Sequence, residues 1–346
     1  MNITESIFGN LNGKRIKSYT ISNDHGMSVT CIEYGGIITD ISVPDRKGMI
    51  ENVVLGFDTL EEYINHSPFF GAIIGRVAGR IAGAAFTLDG VDYNLPKNDG
   101  EHQLHGGRGG FYNVIWRSAA KKSRNEAGVQ FFYISPDGEE GYPGSLEVMV
   151  TYTLNNENEL IISYEAVSDK KTVIDLTNHT YFNLSGNVKR DILEHEVTIK
   201  SDHFLELDET LIPTGEFIPV EDTPFDFRAG KKIKEGVDSN HPQNLLVGGG
   251  YDHPFHLNSG ELALVDSVSG RKLAVTTDRP GVVLYTSNML GNDFQIKGVQ
   301  SKKHLGLCLE TQCLPDAIHH EHFPSIVLEK NEVYKTKTSY KFLVTQ

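Results

Sequence analysis

Short runs in which polar and apolar residues alternate dominate this chain, and nothing in it sustains the three-four spacing of a long amphipathic helix. Period two is the signature of strands with one buried face. Phe86-Thr87-Leu88 and Val91 to Leu95 flank Asp89-Gly90, whose residues accept the positive φ of a tight hairpin turn. Leu262 to Val268 and Arg271 to Thr277 read as a second hairpin around Ser269-Gly270. Further runs rich in Val, Ile, Tyr and Thr are Ser28 to Tyr34, Val129 to Ser135, Leu146 to Leu154, Leu160 to Val167, Val197 to Lys200, Val282 to Thr286 and Ser339 to Val344. One short helix is expected over Thr59 to Asn65, with Thr59 as its cap and Glu61 and Glu62 in its first turn. Strands without intervening helices exclude a doubly wound parallel sheet and a TIM barrel.

The expected fold is therefore all-β, a single large antiparallel β-sandwich. No fixed-period repeat, low-complexity block or linker divides the chain, so residues 1–346 read as one domain. Asn155 to Asn158 is a polar turn between strands, and Val247 to Gly250 a glycine-rich loop. The 46 acidic residues against 32 basic ones give a net charge of −14, which repels polyanions. The densest basic stretches, Lys121 to Arg124 and Lys231 to Lys234, read as solvated turns, so nucleic acid is not an expected partner. No run approaches the ~20 apolar residues of a membrane span, and the first twenty residues lack the apolar stretch of a signal peptide. Cys31, Cys308 and Cys313 are odd in number and form no Cys-x-x-Cys, which fits reduced thiols in a cytoplasm rather than a disulfide or zinc scaffold.

Five segments interrupt the alternation with residues that a purely structural strand would not select. Gly75-Arg76-Val77-Ala78-Gly79-Arg80-Ile81 carries two guanidinium forks, suited to hydroxyl or carboxylate oxygens or else to surface ion pairs. His102-Gln103-Leu104-His105-Gly106-Gly107 sets two glycines after a histidine, which lets the backbone approach a ligand closely. Its His-x-x-His spacing is awkward for one metal, because residues three apart on a strand face opposite ways. Asp175 to Leu184 buries His179 among apolar and hydroxyl neighbours, as a structural histidine or as a proton carrier.

Tyr251-Asp252-His253-Pro254-Phe255 places an acid at a loop-to-strand junction, where it can hold sugar hydroxyls or merely shape a turn. Leu307 to Gln312, followed by Leu314-Pro315-Asp316, contains Glu310 inside a strongly apolar strand. A carboxylate there needs a partner or a job, and desolvation tunes such a group toward a base that works near neutrality. His319-His320-Glu321-His322 reads as a solvated loop rather than a metal cluster, since adjacent residues cannot all converge on one ion.

Taken in order and spacing, these five segments resemble the aldose 1-epimerases, also called galactose mutarotases. The similarity runs from about residue 5 to the C-terminus. The resemblance implies a large β-sandwich whose cleft binds an unphosphorylated hexose, Glu310 as catalytic base and His179 as catalytic acid. It also implies that Arg80, His105 and Asp252 hold the sugar hydroxyls. Two positions depart from the family's pattern: Gly79 stands where Asn is common, and Val283 where Gln is common. Each removes a polar side chain near the expected sugar site.

The implied reaction interconverts α and β anomers of hexoses such as galactose and glucose. It needs one group to take the C1 hydroxyl proton and another to protonate the ring oxygen, the two reversing roles on closure. It is redox-neutral and transfers no group, so no metal, nucleotide or other cofactor is expected. The partner is a monosaccharide, and the chain is expected to act as a monomer or homodimer. Two rivals are open on residue types alone. A glycoside hydrolase could pair Glu310 with Asp252 but would leave His179 idle. A non-catalytic sugar-binding sandwich would stack sugars on aromatic rings, of which the chain has 14 tyrosines but a single tryptophan, Trp116.

Overall fold

The computed structural model describes residues 1–345. Among them, two antiparallel sheets supply most of the architecture. The larger has nine strands, in the order Arg117–Lys122, Glu126–Ser135, Leu146–Asn155, Glu159–Ser168, Val333–Val344, Arg271–Thr277, Glu261–Val265, Glu196–Ile199 and Lys231–Lys232. The second has six, in the order Tyr181–Phe182, Leu307–Gln312, Gly281–Tyr285, Asp252–His256, His203–Leu207 and Pro213–Pro219. A five-stranded sheet made of Asn2–Leu11, Lys14–Ser22, Ser28–Ile32, Ile38–Pro44 and Ile50–Asn52 extends the molecule on its N-terminal side.

The pleat explains how the sheets meet. Val148, Val150 and Tyr152 from one sheet and Leu160, Ile162 and Tyr164 beside them lie in the same apolar core as Val282, Leu284, Leu307, Leu309 and Phe255 of the other. Each of these side chains is almost wholly removed from water, a burial that contributes about 1.5–3 kcal/mol per large apolar side chain. The alternate residues of the six-stranded sheet point the other way. On Leu307–Gln312 these are Cys308, Glu310 and Gln312; on Gly281–Tyr285 they are Val283 and Tyr285; on Asp252–His256 they are Asp252 and Pro254. All of these but Cys308 line the main cavity, and His256, on the same face as Asp252 and Pro254, lies outside it. One face of that sheet is thus core and its other face is the floor of a site.

The expected β class holds, as do both hairpins, Ala85–Leu88 with Val91–Asn94 and Glu261–Val265 with Arg271–Thr277. Asp89 and Gly90 take φ of 52° and 76°, as their tight turn demands. The short helix forms at Leu60–His66, where the Thr59 hydroxyl caps the Glu62 amide and the Glu62 carboxylate answers the Thr59 amide. Two details differ. Lys121, Lys122, Lys231 and Lys232 belong to strands rather than turns, at the two edges of the nine-stranded sheet, where lysine keeps an open edge from pairing with another chain. Two further helices of one turn each, Ile233–Val237 and Pro242–Leu246, were not apparent in the hydrophobic pattern because each is too short to show a period.

Candidate active site

The floor of the cavity is set by strand pairing. Glu310 lies opposite Val283, and Asp252 opposite Tyr285. Glu310 is 3% exposed, and its Oε2 has no protein partner. Its Oε1 lies 3.5 Å from Nε2 of His179. The histidine is held firmly: its N–H donates to Ala72 O at 2.9 Å, and its carbonyl accepts from Gly71 N at 3.0 Å. On either side, Asn178 Nδ2 donates to Gly71 O and Thr177 Oγ1 donates to Thr311 O, both at 3.0 Å. The last bond ties the histidine segment directly to the strand that carries Glu310. The imidazole also stacks on Tyr181, with ring centroids 5.0 Å apart, and its Nδ1 faces Cys308 Sγ at 3.4 Å.

Three loops complete the wall. Arg80 pairs with Leu104 in a two-residue ladder, and its Nε donates to Asp99 Oδ2 at 2.7 Å. His105, with φ of 54°, donates its N–H to Gly79 O at 2.9 Å and accepts at Nδ1 from Gly79 N at 3.2 Å. That second bond fixes the tautomer, since a neutral ring accepting at Nδ1 carries its proton on Nε2. Phe69 stands edge-on to His105 and to Tyr112, with centroids 4.9 and 4.8 Å away. The cavity enclosed by these groups measures 320 Å³, at the small end of the ~300–1,000 Å³ of small-molecule sites. Leu207, Leu211, Pro213, Met289 and Phe294 line the part not occupied by polar groups.

Burial governs the electrostatics. Desolvation pushes the Glu310 carboxyl well above its ordinary range, helped by the nearby Asp252 charge and opposed by Arg80. Desolvation also raises Asp252, again against Arg80. The same effect lowers His179 to about 4 and His105 well below its ordinary value. These opposite directions favour a single proton shared by the pair, on Glu310, with the histidines neutral. Passing that proton to His179 creates a carboxylate and an imidazolium without changing the net charge.

All five residues singled out in the sequence, Glu310, His179, Arg80, His105 and Asp252, line this one cavity. Other readings need correction. Arg76 is not a surface or ligand-binding group; it is 2% exposed, and its guanidinium donates to the carbonyls of Ser135, Pro143 and Gly144. Gly106 admits a neighbouring backbone and not a ligand, since a Cβ there would stand 2.0 Å from Gly75 O. The His319 to His322 loop is solvated as expected, with His319, Glu321 and His322 exposed, and the Nε2 atoms of His320 and His322 also meet Pro213 O at 3.2 Å and Gly215 O at 2.9 Å. His319 pairs instead with Asp316, Nδ1 to Oδ1, at 2.6 Å.

The structure also brings in Phe69, Tyr181, Tyr285 and Gln312, to none of which the sequence pattern gave a role, although Gln312 stands two residues from Glu310 on a strand. Among the described residues, His105, His179 and Glu310 each place one potential ligand atom within 4.8 Å of the others. The Gly79 N–H works against metal there: it occupies Nδ1 of His105 and leaves Nε2 as a donor, with no lone pair for a cation.

The family model described as Aldose 1-epimerase matches residues 17–341. The chain belongs to the aldose 1-epimerase family. It is 43% identical to a galactose mutarotase from Rattus norvegicus and 44% identical to one from Homo sapiens, over 99% of both chains in each case. A crystal structure titled galactose 1-epimerase, from Lactobacillus acidophilus, superposes with a TM-score of 0.90 at 30% identity and covers 100% of this chain and 99% of its own. As an aldose 1-epimerase, the protein is an isomerase of the mutarotase kind.

Proposed function

We propose that this aldose 1-epimerase interconverts the α and β anomers of free hexoses, galactose and glucose among them, with Glu310 as base and His179 as acid. The supporting observation is the 3.5 Å contact between Glu310 Oε1 and His179 Nε2. O1 and O5 of a pyranose are bonded to the same carbon, so the group that takes a proton from one and the group that gives a proton to the other must be neighbours.

The bound sugar draws the shared proton onto His179, because its C1 hydroxyl donates to the Glu310 carboxylate and stabilises that charge. Glu310 takes the O1 proton while His179 gives its proton to O5. The C1–O5 bond breaks as the C1–O1 bond becomes a carbonyl. Rotation about C1–C2 presents the other face, and the two side chains exchange roles as the ring recloses. Each transfer contributes about 10²–10⁴-fold. Arg80, held by Asp99, and His105, donating from Nε2, bind hydroxyls of the open chain and keep it in place. Asp252, beside Arg80 in the cavity wall, accepts from others.

The nine-, six- and five-stranded sheets share one apolar core, which supports the chain acting as one functional unit; we read it as a monomer or a homodimer. Three unpaired, buried cysteines suit the reducing conditions of a cytoplasm. The test is polarimetry of freshly dissolved α-galactose and α-glucose, with and without chelator, for the wild type and Glu310→Gln. Chelator-resistant acceleration that is lost in the variant supports the reading. A folded wild type that accelerates neither sugar refutes it.

A further inference from the structure

Gln312 has no part in the proton transfers, yet it lines the cavity two residues beyond Glu310 on the same strand. It is 1% exposed, and neither its amide nitrogen nor its amide oxygen has a protein partner. Its backbone pairs with Gly281 in the sheet, so the strand does not depend on the side chain. A primary amide carries two donors and an acceptor oxygen. Burying one with nothing to bond is a cost that native chains seldom carry without a use for the group.

The surroundings indicate what the use is. Side chains at i and i+2 of a strand share a face about 7 Å apart, so with Glu310 at the C1 hydroxyl, Gln312 faces another part of the ring. Two of its neighbours in the wall carry no polar side chain. Gly79 has no side chain, and the place where its Cβ would stand lies 3.3 Å from Gln312 Nε2 and 3.0 Å from Pro315 Cβ. Val283, on the adjacent strand, is apolar. A side chain at position 79 would cover the amide; glycine leaves it open to the cavity.

We propose that Gln312 is a substrate-binding residue that sets specificity, its amide holding a ring hydroxyl remote from C1. The proposal rests on the mutarotase reading, and it assigns to Gln312 the polar contact that neither Gly79 nor Val283 can make.

The experiment compares galactose with its 2-, 3-, 4- and 6-deoxy analogues in mutarotation by the wild type, Gln312→Met and Gln312→Asn. Methionine keeps the length and removes the hydrogen bonds, while asparagine keeps the amide but withdraws it. The expected result is a KM for galactose raised about tenfold in Gln312→Met, with kcat within about twofold, the pattern of a lost ground-state contact. For one deoxy sugar the wild type and Gln312→Met should have the same KM, because the hydroxyl that the amide held is already missing. Gln312→Asn should fall between them.

An unchanged KM for galactose in both variants overturns the proposal. So does an equal loss on every sugar, or failure of both variants to fold, since each assigns Gln312 a structural role. Wild-type activity on galactose keeps these outcomes separate from failure of the mutarotase reading.

Discussion

His179 Nε2 and Glu310 Oε1 meet at 3.5 Å with neither side chain more than 4% exposed, so one proton serves two buried groups of opposite tendency. Burial raises the carboxyl and lowers the imidazole to about 4. Between those limits the pair keeps its proton. On the proposed mechanism, below pH about 4 His179 takes a second proton and no base remains; above the raised pKa of Glu310 the pair is empty and no acid remains. The pH profile of kcat/KM, which reports the free enzyme, should have its acid limb near 4, the lowered value of His179, and its alkaline limb above the ordinary carboxylate range, because burial raises Glu310. An acid limb at the ordinary histidine value of about 6.5 would contradict this ordering.

Glu310→Gln should lower kcat by about 10²–10⁴-fold and leave KM close to the wild type, because the amide still accepts a hydroxyl hydrogen bond. The variant should also melt no lower than the wild type. The native carboxyl is buried with Oε2 unpartnered, and a neutral amide of the same shape adds no desolvation cost. Circular dichroism melts beside polarimetry check both statements.

The Gly79 N–H fixes the His105 ring as the Nε2–H tautomer. Nitrogen chemical shifts should therefore show a neutral imidazole protonated at Nε2 throughout the neutral range, in keeping with a pKa lowered by burial and by the neighbouring His179 and Arg80. His105→Gln should raise KM about tenfold, the effect of losing one oriented hydrogen bond.

Asp316 supports the site from behind. It is 3% exposed with φ of 59°, accepts from Ala82 N at 2.9 Å and donates its own N–H to Arg80 O at 3.1 Å. Asp316→Ala should cost about 1–3 kcal/mol by orphaning the Ala82 N–H and should raise KM by loosening Arg80. Asp316→Asn tolerates the left-handed backbone and keeps an acceptor, but it loses the charge facing His319. That histidine's pKa is raised, first by its hydrogen bond to Asp316. The pair's contribution is thus fully present below the unfolded value of about 6.5 and is lost as pH rises through the folded one. Denaturant titrations should find Asp316→Asn less stable than the wild type in mild acid and nearly equal to it in mild alkali.

A hexose carries no charge, so the −14 net charge of the chain exerts no long-range pull on it. Raising the salt from about 0.01 to about 1 M collapses the Debye length from about 30 to about 3 Å and should leave kcat/KM unchanged within about twofold. Stopped-flow polarimetry at the two salt concentrations measures it.

What the sequence discloses and what it withholds divide along a physical line. Glu310 is visible because a carboxylate inside Leu307–Gln312 violates the strand's own pattern, and a local violation needs no knowledge of the fold. Arg76 and Arg80 stand four residues apart in one glycine-rich segment and look alike. One ends among the carbonyls of Ser135, Pro143 and Gly144 and the other beside Asp99, and those partners are chosen by tertiary packing. The glycines after His105 correctly signal a close approach, but what approaches Gly106 is the backbone of Gly75, and what approaches Gly107 is the Glu140 carboxylate. The His319 to His322 segment reads as solvated and is largely exposed, but its carbonyl partners, Pro213 and Gly215, lie 107 residues away and are invisible in the local pattern. The strand Asn2–Leu11 is largely exposed, so little in it announces a buried face. Gln312 is easily passed over, because glutamine is ordinary on a surface and its lack of a partner becomes visible only in three dimensions.

The strand Val333–Val344 follows every other strand in sequence yet lies in the middle of the nine-stranded sheet, between Glu159–Ser168 and Arg271–Thr277. During synthesis the two halves of that sheet must therefore wait, each with an open edge, until this last segment threads between them. Chains that stall beforehand carry two sticky borders in place of a closed wall. That interval of greatest exposure comes after His179 and Glu310 have already been made.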